Sequence, residues 1–166
     1  DRGHDSPGVV ALVRGLVETG CARAILGNHE LNILCGDRKG GNDWFWGDAG
    51  PGQRSADERT QGQVRAFFRT LPVALEREDL RVVHACWDDA AIDALRGEED
   101  ALEAYRRAQE AVAAQPGYDG FDRSQRRLAQ QNENIVKLVT SGPERWSAEV
   151  VRRVDGEDRH EARVAW

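Results

Sequence analysis

The stretch Ala22-Arg23-Ala24-Ile25-Leu26-Gly27-Asn28-His29-Glu30 decides how this chain is read. A short, largely apolar run closed by a glycine predicts a buried strand over residues 21–26. A turn at Gly27 follows, and then a second helix over about residues 30–35. The end of that strand carries Asn28 and His29, an amide oxygen able to bind a metal beside an imidazole able to move a proton. A packed interior has little use for that pairing.

Upstream, Asp5 or Ser6 is placed to cap a helix, and Pro7 suits its first position, where a missing N–H costs nothing. Val9, Leu12, Val13, Leu16 and Val17 recur at the spacing of one helical face, and Gly20 stands where a left-handed terminating residue is wanted. The helix is therefore expected over about residues 7–19. Downstream, residues 36–55 turn to Gly, Asp, Asn and Pro around Trp44-Phe45-Trp46. They predict a long ordered loop, pinned by burial of the aromatics in preference to their stacking on a nucleobase. A helix over residues 57–70, with Val64, Phe67 and Phe68 on its apolar face, is ended by Pro72. A hairpin with arms over residues 73–76 and 80–84 then flanks the turn Arg77-Glu78-Asp79.

From residue 88 to 140 the chain is rich in Ala, Glu, Arg and Gln, with helical spacing at Ile92 and Leu95, Leu102 and Tyr105, and Ile135, Leu138 and Val139. Two or three helical segments are expected, divided at Gly97 and Gln115-Pro116-Gly117. Strand character returns at residues 150–154 and 162–166. The organisation is thus an α/β core over residues 1–87, a helical insertion over 88–143, and the start of C-terminal core strands over 144–166.

At 166 residues and 40% hydrophobic content, the chain can bury a real core. A formal net charge of −6 argues against a nucleic-acid or anionic-membrane partner, which selects a basic face. Cys21, Cys35 and Cys86 form an odd, sparse set that suits a reducing compartment, so a cytoplasmic protein is expected. No apolar run approaches the roughly 20 residues of a membrane span.

Asn28 and His84 offer oxygen and nitrogen donors suited to a divalent first-row metal, each at the end of an apolar strand, where open α/β folds gather their sites. His29 is placed to protonate a leaving alkoxide, Asp1 to orient that ring, and Arg2 to present a planar fork to phosphate oxygens. The plainer alternatives are that Asn28 caps the following helix, that His84 is a satisfied core histidine, and that Asp1 and Arg2 are solvated. Trp87 lines either a substrate mouth or the core. Arg106, Arg107, Arg123, Arg126 and Arg127 read as a solvated face in preference to a polyphosphate site, His4 and His160 as surface residues, and Glu30 as a structural charge in the first helical turn.

Three motifs taken together, Asp1-Arg2-Gly3, Gly27-Asn28-His29-Glu30 and Val82-Val83-His84-Ala85, resemble blocks of the calcineurin-like metallophosphoesterase superfamily. The likeness is to a bacterial branch akin to Ser/Thr protein phosphatases and symmetrical dinucleoside tetraphosphatases, and it covers residues 1 to about 88. The resemblance implies a two-sheet sandwich flanked by helices and two divalent metal ions, Mn foremost with Fe, Zn or Ni compatible. It also implies hydrolysis of a phosphomonoester or phosphoanhydride by a metal-bound hydroxide. Substrates of that kind are a phosphorylated small molecule, a dinucleoside polyphosphate or a phosphoprotein. By the same resemblance Asn28 and His84 bind the second metal, His29 is the general acid, Asp1 orients it and Arg2 holds phosphate. The Asp-x-His block, the bridging Asp and the terminal Gly-His of the family pattern are missing from the chain, and Asp1 opens inside a motif. The chain is therefore expected to be part of a longer enzyme and inactive by itself. The alternative is a degenerate or truncated domain that binds an anion or a partner without turnover.

Overall fold

In the computed structural model, which describes residues 3–152 and 158–164, Asp5 starts the first helix, α1 (Ser6–Glu18), by accepting the Gly8 amide at 2.9 Å. Thr19 and the left-handed Gly20 (φ 74°) end it. Val10, Val13 and Val17 pack against the core, whereas Val9, Leu12 and Leu16 of the same expected face are exposed. The apolar stripe is wider than the contact available to it: α1 packs against the helices over residues 43–46 and 58–69, and Val9, Leu12 and Leu16 are left outside that contact.

The strand expected over residues 21–26 does not form as one. The segment is extended, but among the described residues no strand lies along it. Among the described residues its backbone is tied at its ends, Ala22 N–H to Leu16 O (3.1 Å) and Leu26 N–H to Pro72 O (2.8 Å). Burial pattern can call for an extended chain, but a ladder also requires a partner, and sequence periodicity does not supply one.

Helix α2 (Asn28–Cys35) follows directly, and Gly36 terminates it in the left-handed conformation (φ 81°). The expected loop is ordered around one helical turn, α3 (Asp43–Trp46). Phe45 is completely buried and Trp44 nearly so. Phe45 meets Trp44 and Trp46 edge-on, with ring centroids 5.8 and 4.9 Å away, and the Arg65 guanidinium lies 4.9 Å from its centroid. The aromatic cluster therefore packs. Helix α4 (Glu58–Arg69), capped by Asp57, adds Val64, Phe67 and Phe68 to the same core.

Strands β1 (Ala74–Arg77) and β2 (Leu80–Val83) pair antiparallel, from Ala74 opposite Val83 to Arg77 opposite Leu80. The helical stretch beyond them is cut more often than expected, into α5 (Asp89–Leu95), α6 (Ala101–Ala113), a 3-10 turn (Tyr118–Gly120), α7 (Arg123–Asn132) and α8 (Ile135–Ser141). Each of the four α-helices is opened by an acidic or amide side chain, namely Asp88, Asp100, Asp122 and Asn134. Strand β3 (Glu144–Arg152) pairs antiparallel with β4 (Asp158–Arg163) and starts earlier than the apolar pattern suggests, because Glu144 is already in register with Arg163. The expected strand positions 153, 154, 165 and 166 lie outside the described residues. The fold is mixed α/β, with two separate two-stranded antiparallel sheets among the described residues.

Arg106, Arg107, Arg123 and Arg126 present a solvated face, whereas Arg127 is half-buried, 3.9 Å from the buried Glu161 carboxylate. Arg106 pairs with Glu103 at 2.8 Å, Arg107 with Glu98 at 2.6 Å, and Arg126 donates to Asp119 O at 2.8 Å. His4 and His160 are exposed, the latter stacked on Trp146. Among the described residues no helix is long and apolar enough to cross a membrane.

Two side chains couple helices that are distant in sequence. Asn134 is fully buried; its Oδ1 accepts the Val136 and Lys137 amides while its Nδ2 donates to Tyr105 O at 3.0 Å. Asn134→Ala removes the cap and strands a buried carbonyl, and is expected to lower stability by about 1–3 kcal/mol in urea denaturation. Asp100 caps α6 and pairs with Arg69. Burial pushes its carboxyl up, but the Arg69 guanidinium and the Leu102 and Glu103 amides outweigh this and hold it below the ordinary range. A depressed carboxyl contributes stability that is present above its unfolded pKa, near about 4, and lost as pH falls through the lower folded value. The thermal midpoint should therefore fall with acidification below about pH 4, and more shallowly in Asp100→Asn.

Candidate functional site

Gly27 sets the geometry. A Cβ there would sit 2.6 Å from Glu30 Oε2 and 2.9 Å from His84 Nδ1, so the glycine gives that carboxylate and that ring the room they occupy. The Gly27 amide donates to Glu30 Oε2 at 3.1 Å, the reach-back half of a capping box. Glu30 therefore has the structural role expected of it. Gly27, and not Asn28, occupies the N-cap, so the Asn28 side chain is not consumed in capping α2.

Asn28 Oδ1 instead lies 3.0 Å from His84 Nε2, across 56 residues of chain. His84 follows directly on β2. Beyond it, the Ala85 and Cys86 amides both donate to Val139 O, at 3.1 and 3.3 Å, fastening this corner to α8. Both site side chains thus come from the first residue of one element or the first residue past another. Neither is a buried core residue: His84 is exposed and Asn28 half-buried, and each is the other's hydrogen-bond partner.

His29 stands next in α2 and is part-buried. Its Nδ1 lies 3.3 Å from Asn42 Oδ1, and its backbone carbonyl accepts Asn42 Nδ2–H at 2.9 Å. Asn42 is completely buried at the foot of α3 and was not legible as a site residue. The sequence signal around it, Gly40-Gly41-Asn42-Asp43, announces only a turn ahead of a helix. Asp1 and Arg2 lie outside the described residues.

Asn28 Oδ1 and His84 Nε2 are an oxygen and a nitrogen donor of the kinds that bind divalent first-row cations, and they stand 3.0 Å apart, in hydrogen-bond contact. Among the described residues there is no group of three or more His, Cys, Asp and Glu that could hold a metal. The thiol of Cys86, two residues past His84, is pushed up by burial and then by Asp88, and so stays protonated. Trp87 donates to Asp89 at 2.9 Å, stacks with Arg81 at 4.7 Å and lines a cleft of about 410 Å³ with Ile92 and Leu95. That cleft also takes Ala74 and Glu76, and Asn28, His29 and His84 are not among the residues that line it. Trp87 therefore borders a separate hollow.

Compared with protein-family models, curated proteins and solved structures, the chain matches none.

Gly27→Ala should push His84 off Asn28 and lower stability by about 1–3 kcal/mol. A His84 imidazole NMR spectrum unchanged in that variant would contradict the close approach.

Proposed function

We propose that this chain carries part of the site of a metal-dependent phosphoesterase that hydrolyses a phosphomonoester or a phosphoanhydride, of the protein phosphatase or dinucleoside tetraphosphatase type. One observation carries the reading: the 3.0 Å approach of Asn28 Oδ1 and His84 Nε2, an oxygen and a nitrogen donor of the kinds that bind divalent first-row cations. These two atoms would hold the metal, with Mn the first choice and Fe, Zn or Ni compatible with mixed oxygen and nitrogen donors. A metal bound there supplies Lewis acidity toward phosphoryl oxygens and lowers the pKa of water.

The chain's own groups do the rest. His29, adjacent to Asn28, protonates the leaving oxygen. The amino end of α2 turns its amides and the positive end of its dipole toward the same corner, which favours a phosphate anion. Asp1 as the orienting carboxylate and Arg2 as the phosphate fork complete the proposal. The parent fold we propose is a two-sheet sandwich in which residues 21–26, already extended and without a strand beside them among the described residues, join a sheet. The second metal and the full activity belong to a protein that also carries Asp-x-His, bridging-Asp and Gly-His blocks. Three free cysteines support a cytoplasmic setting.

Titration of the chain with Mn²⁺, followed by calorimetry, is expected to show binding that Asn28→Ala and His84→Ala each weaken by more than about tenfold. Unchanged affinity in either variant would falsify its assignment as a ligand. In a protein carrying all the blocks, Mn-dependent hydrolysis of a chromogenic phosphate ester should drop on the order of 10² to 10⁴-fold in His29→Ala. Metal binding without turnover there would identify an anion-binding or partner-binding domain instead.

A further inference from the structure

We infer that the cleft beside Trp87 is a purine nucleoside subsite, so that the phosphate ester or anhydride turned over at Asn28 and His84 belongs to a nucleotide and not to a phosphoprotein. The inference rests on the phosphoesterase reading and names the substrate class for it.

Two tethers set the cleft next to the site. Along the chain, Trp87 follows His84 by three residues, a stretch that spans at most about 11 Å. Across the chain, Pro72 in the cleft wall accepts the Leu26 amide at 2.8 Å, and Leu26 precedes Asn28 by two residues. The wall of the cleft is thus joined to both proposed ligands by short pieces of backbone, although neither ligand lines it. A molecule with one end in the cleft needs only a short polar tail to reach the corner where Asn28 and His84 meet.

The lining matches a purine better than a peptide side chain. Leu71, Ile92 and Leu95 are buried and give an apolar floor, with the half-buried Trp87 ring beside them. The volume, about 410 Å³, falls in the range of small-molecule sites, which combine such a floor with a few polar groups. Glu76 and Arg96 supply those groups. Glu76 accepts from Arg96 at 2.6 Å and from Arg81 at 3.0 Å, and the Arg96 bond above all holds its carboxyl below the usual carboxylate range, so it stays an acceptor. Arg96 keeps more than half of its side chain in solvent and presents a planar guanidinium of the kind that stacks on aromatic rings. A purine has an apolar face for the floor and an edge of amino and ring nitrogens for the polar groups. An aliphatic side chain offers the floor a match and the polar groups none.

The test is an ¹H–¹⁵N correlation spectrum of the labelled 166-residue chain, without metal, titrated with adenosine and with guanosine to about 2 mM, a range suited to the weak binding of so small a molecule. The Trp87 indole N–H, assigned by its loss in Trp87→Phe, and the Gly97 and Glu98 amides are expected to shift progressively with at least one of the two nucleosides. Ala74→Phe puts a ring into the cleft from a strand position, where aromatics are well accepted, and should abolish those shifts. Ala101→Leu fills the cleft from α6 and makes the same test if Ala74→Phe does not fold. No shift with either nucleoside, or shifts that persist in a folded variant with the cleft filled, overturns the inference. So does a phosphoserine peptide that moves the Trp87 resonance where the nucleosides do not. Nucleoside binding in a chain that takes up no Mn²⁺ would refute the proposed function and leave the nucleoside subsite standing. Mn²⁺ binding that depends on Asn28 and His84, with no nucleoside bound, would do the reverse.

Discussion

The hydrogen bond between Asn28 and His84 depends on the absence of a side chain at Gly27. With His84 Nδ1 and Glu30 Oε2 both within 3 Å of where a Cβ would be, a side chain there displaces the His84 ring and the Glu30 carboxylate from the places they now hold. The remaining order at this corner follows from that approach. Leu26 is fixed to Pro72 O just before the glycine, and Ala85 and Cys86 are fixed to Val139 O just after the histidine. Two polar side chains 56 residues apart are thereby held at one hydrogen-bond distance by backbone on both sides.

The core works toward the same end. Leu26, Leu31, Phe45, Phe67, Val136 and Val139 form one buried cluster shared by α2, α3, α4 and α8. The helices that position Asn28, His29, Asn42 and the Val139 carbonyl therefore pack on a common interior, and shifting any one of them opens a void. Asn134 extends this logic to α6 and α8, where one buried amide satisfies three backbone groups. Caps and amide clamps, more than sheet ladders, register the elements of this chain, whose strands pair only two by two among the described residues.

The exposed features are equally informative about where pattern and packing part. α1 carries the apolar spacing of a core helix, yet Leu12 is 64% exposed while Val13 beside it packs. Periodicity reports that a face is apolar; it does not report how much of that face meets a neighbour. Residues 21–26 behave the same way, extended as their composition requires but without a strand alongside among the described residues.

Local chemistry was legible wherever one residue acts on its near neighbours. Asp5 as a cap, Gly20 as a left-handed end, Pro72 as a stop and the turn between β1 and β2 could all be read in order, because each rests on sterics or hydrogen bonds within a few residues. The chemical types at positions 28, 29 and 84 were legible too, since an amide or an imidazole announces what it can bind. Tertiary structure alone decided that Asn28 spends its oxygen on His84 instead of on a helix cap, and that Asn42 declines its own cap to hold His29. Both choices set a short-range bond against one that exists only after the core has brought distant segments together, and no local pattern records that competition.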